Sequence, residues 1–284
     1  MSGWRRTAER VFAAAVSPPL LSRLAGWLAD RRLPAPILGR LIRAYARVCG
    51  VDLAEAAEPV EAFGTFNAFF TRGLRDGARP IDTRPGVVTS PSDSRLSDIG
   101  AVPPDGRIEQ VKGRTYGLDA LLGSPEDAEP YRGGHHATLY LSPGMYHRVH
   151  APVDGRIVGW RYVPGRLFPV NPRAVRSVPG LFTRNERVAI FLETEDNGPV
   201  ALVLVGAANV GRITLRFTPL ITNSGAPGGR DRPPAPLPVR RGEELGVFNL
   251  GSTVVLLVAD PALVPADVRP GGLVRVGEAL WRRG

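Results

Sequence analysis

Beyond about residue 60 the apolar residues come in runs no longer than a β-strand, each closed by glycine, proline or another turn former. Runs at 87–88, 137–141, 155–162, 187–192, 201–205, 212–217, 247–250 and 253–258 are rich in Val, Ile, Leu and Phe. The 33 glycines and 28 prolines among 284 residues are what keep these runs short. Residues 4–49 follow a different rule, with apolar side chains returning at helical spacing. The predicted class is therefore α+β, with N-terminal amphipathic helices over 1–60 and a β-rich body over 61–284. Residues 112–123 read as a short helix or turn, and 223–241, full of Gly, Pro and charge, as a mobile loop.

The helical segment is basic. Residues 1–50 hold nine arginines against Glu9 and Asp30, which accounts for most of the net charge of +9. Leu20, Leu21, Leu24, Trp27 and Leu28 form one apolar stripe, and Ile37, Leu38, Leu41, Ile42, Tyr45 and Val48 a second, with arginines interleaved. Arginine with Trp and Leu on one amphipathic helix suits an anionic membrane surface, where each basic residue contributes about 1 kcal/mol. A basic helical subdomain packed on the body is the plainer alternative. No nucleic-acid reader motif follows the charge, so no nucleic-acid partner is expected. No apolar run approaches the length of a spanning helix. A single cysteine, Cys49, excludes an internal disulfide and a multi-cysteine metal centre.

All four histidines lie between 135 and 150. His147 and His150 stand between a Ser-Pro-Gly turn and an Asp-Gly turn, in a position typical of exposed loop chemistry, and would share a face if the segment were helical. As metal ligands they lack an intervening glutamate or a cysteine partner, so no metal is expected. Asp93 sits in a Ser-Pro-Ser-Asp-Ser-Arg turn. Gly251-Ser252-Thr253 interrupts two apolar runs, and by composition alone it is a hairpin turn. Asp, His and Ser in one chain are compatible with serine activation wherever the fold brings them together. A serine hydrolase using Asp93, His150 and Ser252 and a non-catalytic β-rich membrane-binding module remain open on these residues.

Six blocks, in order, narrow the choice: 67–80, 90–95, 111–116 with 121–123, 140–155, 185–187 with 205–211, and 242–253. Together they resemble the bacterial, pyruvoyl-dependent phosphatidylserine decarboxylase family from about Phe66 to Leu257. The family's text departs at one position, where Ser94 stands in place of a glycine after Asp93.

The resemblance implies decarboxylation of phosphatidylserine to phosphatidylethanolamine by a covalent pyruvoyl group made from Ser252. It makes Gly251-Ser252 the self-cleavage site, giving a β chain of residues 1–251 and an α chain of residues 252–284 that stay associated. His150, paired with Asp93, would take the Ser252 proton, and His147 would return a proton during turnover. An α-amino decarboxylation needs an electron sink, and the sole lysine, Lys112, is the only position for a pyridoxal alternative. The implied partner is phosphatidylserine in an anionic membrane. The implied assembly is a homodimer of αβ units, bound peripherally at the cytoplasmic face of the inner membrane.

Overall fold

The computed structural model describes residues 27–111, 113–208, 212–249 and 252–284, with the side chain of Ser252 outside that description. The predicted stripe at 20–28 therefore lies mostly outside the described residues, as do Lys112, Leu250 and Gly251.

Helix α1 (Ala35–Cys49) follows Pro34, carries Pro36 in its first turn and ends on Gly50, whose left-handed conformation lets its N–H return to the Ala46 carbonyl. It buries Leu38, Ile42 and Ala46, one face at i, i+4 spacing, against Phe69 and its neighbours. The short α2 (Phe66–Phe70) is capped by Thr65, which accepts the Ala68 N–H.

The body carries strands in the order β1 (Val88–Thr89), β2 (Ser94–Ala101), β3 (Arg107–Val111), β4 (Arg114–Gly117), β5 (His135–Leu141), β6 (Arg148–His150), β7 (Gly155–Val163), β8 (Arg187–Glu193) and β9 (Val200–Gly206). Then come β10 (Ile213–Leu215), β11 (Gly229–Asp231), β12 (Leu237–Val239), β13 (Glu244–Phe248), β14 (Ser252–Val258), β15 (Leu263–Pro265), β16 (Leu273–Val274) and β17 (Ala279–Arg283). The main sheet runs β11-β7-β8-β9-β14-β5-β2-β16, with β12 also on β7. The pairs that build it are antiparallel.

Its centre is β9 and β14, which are apolar without alternation because both faces of the sheet are covered. On one face Val254, Leu256 and Val258 meet a second layer built on β6, β10 and β13 and on the β1-β17-β15 sheet. On the other, Val255 and Leu257 meet α3 (Leu118–Leu122), the β3–β4 hairpin and, after α4 (Pro125–Ala128) and α5 (Pro172–Ser177) in the chain, α6 (Leu181–Arg184). Each fully buried Leu or Val contributes about 1.5–3 kcal/mol, so these two faces dominate the stability of the body. Buried Arg187, from one of the six sequence blocks, donates to the Leu121 and Ala120 carbonyls at the end of α3, and burial pushes it down to about 10.

Helices before a β-rich body is the predicted class, and the eight predicted strand regions each hold a strand. Two local expectations are corrected. Residues 223–241 hold β11 and β12, which bond to β7 despite the prolines because each strand is three residues long and lies at the sheet margin. Residues 112–123 include strand β4 as well as the helix α3.

Candidate active site

Ser252 is the first residue of β14, and its backbone is paired with Leu141 at the end of β5 and with Gly206 at the end of β9. It therefore lies at one end of the most buried strand, where β5 leaves the sheet into the loop that carries His147. The chain reaches it from β13, and β13 is paired to β6, the strand that ends on His150. Phe248 N–H donates to the His147 carbonyl at 3.0 Å. Asn249 is held as well: its N–H donates to Arg212 O at 2.9 Å, and its side-chain oxygen accepts Asn67 Nδ2 at 3.2 Å. The predicted scissile bond thus ends on a residue paired in the sheet, Ser252, and Asn249, two residues ahead of Gly251, is held as well.

His147 is fully buried, its ring 4.1 Å from that of Phe70. Nδ1 lies 2.8 Å from the Met145 carbonyl, which can only accept, so the proton sits on Nδ1. Nε2 then carries a lone pair, and it is buried with no partner among the described residues. Burial, with a smaller contribution from the nearby Arg72 cation, lowers the pKa to about 3, against which the Met145 bond acts only partly. The loop itself is braced by α1: Tyr45 donates to Pro143 O at 2.7 Å, and a Cβ at Gly144 would collide with the Cys49 carbonyl.

His150 is in a strand rather than the helix its spacing allowed. Its Nδ1 donates to Gly242 O at 2.7 Å, and its Nε2 accepts from Tyr146 OH at 3.1 Å. Burial lowers its pKa, partly offset by the Gly242 bond. Asp93 is nearby, since His150 N–H donates to Pro91 O at 2.8 Å. Its carboxylate, however, takes Arg79 Nε at 2.9 Å, Arg79 Nη2 at 2.6 Å and Val276 N–H at 3.0 Å. The direct Asp93–His150 hydrogen bond implied by the resemblance does not form here, because each group's bonding positions are taken by others. Charge reaches His150 through space as well: Glu244 raises its basicity, Arg148 opposes that, and Asp93 adds a smaller push upward.

Ser94 fits without a glycine. It opens β2, its hydroxyl lies 2.7 Å from that of Ser92, and among described non-glycine residues only Asn223 has positive φ.

Arg79, Tyr146, Phe70 and Arg72 complete the surroundings of the two histidines, and sequence reasoning assigned none of them a role. Arg79 and Phe70 lie in block 67–80 and Tyr146 in block 140–155, which is the signal that was available. His135 and His136 lie away from this corner at the other end of β5, with His136 Nε2 2.9 Å from Asp98. Among the described residues no group of three or more His, Cys, Asp or Glu side chains is placed to hold a metal.

The family model described as phosphatidylserine decarboxylase matches residues 66–282. A phosphatidylserine decarboxylase proenzyme of Bordetella petrii is 47% identical, with 92% of each chain covered. One from Anaeromyxobacter sp. is 46% identical, covering 92% of this chain and 93% of its own. One from Marinobacter nauticus is 45% identical, with 96% of each chain covered. Matched by the family model over most of its length and by relatives along nearly their whole length, the chain belongs to the phosphatidylserine decarboxylase family.

Proposed function

We propose that this protein decarboxylates phosphatidylserine to phosphatidylethanolamine with a pyruvoyl group that it makes from Ser252. The observation that carries this reading is the hydrogen-bonded link between the His147–His150 segment and β13, the strand leading into the Gly251-Ser252 bond.

In maturation the Ser252 hydroxyl attacks the Gly251 carbonyl as His150 Nε2 takes its proton, exchanging Tyr146 for the serine. The peptide becomes an ester. Loss of the Ser252 α-proton then expels the Gly251 carboxylate as a new C-terminus and leaves dehydroalanine. Water converts that residue to a ketone with release of ammonia. Asp93, held by Arg79, supplies a fixed negative charge that favours the protonated His150 formed at the first step.

The unpartnered, buried lone pair on Nε2 of His147 suits proton transfer with a substrate amine held at the start of β14. The pyruvoyl group supplies the electron sink that lets carbon dioxide leave. His147, with its proton locked on Nδ1 by Met145, has a free lone pair on Nε2. The substrate carboxylate, brought beside the ring, raises its basicity, so that Nε2 takes the proton the amine releases as the imine forms and returns it to the carbon that has lost carbon dioxide.

The α chain, residues 252–284, stays with the β chain because β14 is paired along its seven residues on both sides. Docking on an anionic membrane is supported by the outer face of α1, where Ile37, Leu41 and Val48 are exposed beside Arg40, Arg43 and Arg47. No helix among the described residues is long and apolar enough to cross a membrane. Peripheral attachment at the cytoplasmic face and pairing of two αβ units belong to the same reading. The test is the intact mass of purified protein: two fragments split at 251/252, the smaller blocked at its N-terminus. A serine hydrolase would keep one chain and label with a fluorophosphonate.

A further inference from the structure

A groove of about 580 Å³ opens on the helical face of the main sheet, directly against Thr253, the residue after the proposed ketone. Its wall is apolar, formed by Val111 of β3, Val175 of α5 (Pro172–Ser177) and Phe182 of α6. Arg95, Arg114 and Arg176 line it as well, with Asp98 and Glu109 as the acids. Asp98 is committed to His136 and Arg95 bonds Gly271 O, whereas Arg114 and Arg176 are exposed and make no ion pair among the described residues. Thr253 is 1% exposed, and its hydroxyl has no hydrogen-bond partner among the described residues. A buried hydroxyl left unpaired costs roughly 1–3 kcal/mol unless a ligand supplies the missing bond.

We propose that this groove is the subsite for the phosphodiester and glycerol end of the lipid substrate. The proposal rests on the function argued above and goes beyond it by assigning lipid recognition to residues outside the histidine corner. The volume lies within the range of small-molecule sites. In phosphatidylserine the phosphodiester follows the reacting amino acid by a few bonds, so an amine captured at residue 252 puts that phosphate beside residue 253. Ser252 is the first residue of β14, so a headgroup held there reaches the face lined by Thr253 around the end of the strand. Arg114 and Arg176 match a phosphodiester in charge and forked donor geometry. The apolar wall suits the glycerol and first methylenes of the acyl chains.

A phosphodiester keeps its charge while the carboxylate is lost, so its contacts bind ground state and transition state alike. Removing them raises KM and leaves kcat in place. The experiment uses the self-cleaved enzyme and dihexanoyl-phosphatidylserine below its micelle concentration, which takes membrane attraction out of the readout. Arg114→Glu with Arg176→Glu is expected to raise KM about tenfold or more, with kcat within about twofold and self-cleavage unchanged. Arg156→Glu with Arg232→Glu, the same change of charge away from the groove, is expected to leave KM alone. An unchanged KM in the groove pair, or an equal rise in both pairs, overturns the subsite. If the reversed charges impair cleavage, the alanine pair at the same positions decides by the same reading. If the unaltered enzyme releases no carbon dioxide from the lipid, the proposed function fails and the subsite fails with it.

Discussion

The carbonyl oxygen of His147 accepts the backbone N–H of Phe248 at 3.0 Å, and this bond ties the histidine loop to the strand entering the proposed cleavage bond. Its effect is mechanical. A shift of the His147 backbone pulls on the chain just ahead of Gly251, so the proposed maturation and turnover would draw on one framework.

Phe70 supports the His147 ring from the other side, at 4.1 Å between centroids. Phe70→Leu keeps the site apolar but removes the flat face, at a cost of about 1–2 kcal/mol in stability. It should leave self-cleavage largely intact and slow lipid turnover about tenfold. Gel analysis of cleavage beside carbon dioxide release from the cleaved fraction checks both parts.

The buried neutral state of His147 makes stability depend on pH. Its folded pKa, about 3, lies below the ordinary histidine value of 6.5, so the unfolded chain binds more protons between those limits. The contribution is fully present above pH 6.5 and is lost progressively as pH falls toward 3. Urea midpoints across that window should fall less steeply for His147→Gln than for the unaltered protein. Parallel slopes would show that the ring is not held neutral.

Arg79 grips Asp93 by two nitrogens and also reaches Glu55 at 2.7 Å. Arg79→Lys retains the charge but not the two-point hold. We expect about 1–3 kcal/mol of lost stability and self-cleavage slowed about tenfold, as Asp93 is released from its place beside His150. Asp93→Asn should slow cleavage at least as much. Timed cleavage of freshly translated chain measures it.

The central strands were readable because β9 and β14 are built mainly of Val and Leu, in runs that no exposed loop would carry. By contrast β2, which alternates buried and exposed side chains at its start and is largely polar, gave no apolar run. β11 and β12 were hidden because Gly and Pro read as a loop unless β7 is known to lie alongside. At the site, Asp93, His147, His150 and Ser252 were legible as members of blocks. Their bonding was not: that Arg79, fourteen residues from Asp93, would take its carboxylate depends on a turn whose path only the fold defines. The exchange of Asp93 for Gly242 and Tyr146 at the His150 ring is likewise a matter of three dimensions.

The outer face of α1 leads to a separate prediction. Ile37→Glu with Leu41→Glu places charge where apolar side chains are 55% and 44% exposed, away from the buried Leu38 and Ile42. Binding to phosphatidylserine vesicles should weaken several-fold, while turnover of a soluble short-chain lipid stays unchanged. Co-sedimentation at low and high salt checks this, the difference being largest at low salt.

The most direct measurement is mass spectrometry of the active protein before and after borohydride treatment. The account predicts two masses, for residues 1–251 and 252–284, with the smaller lacking a free N-terminal amine and gaining two hydrogens on reduction as activity is lost. A single unbroken chain that decarboxylates the lipid and is indifferent to borohydride would contradict it.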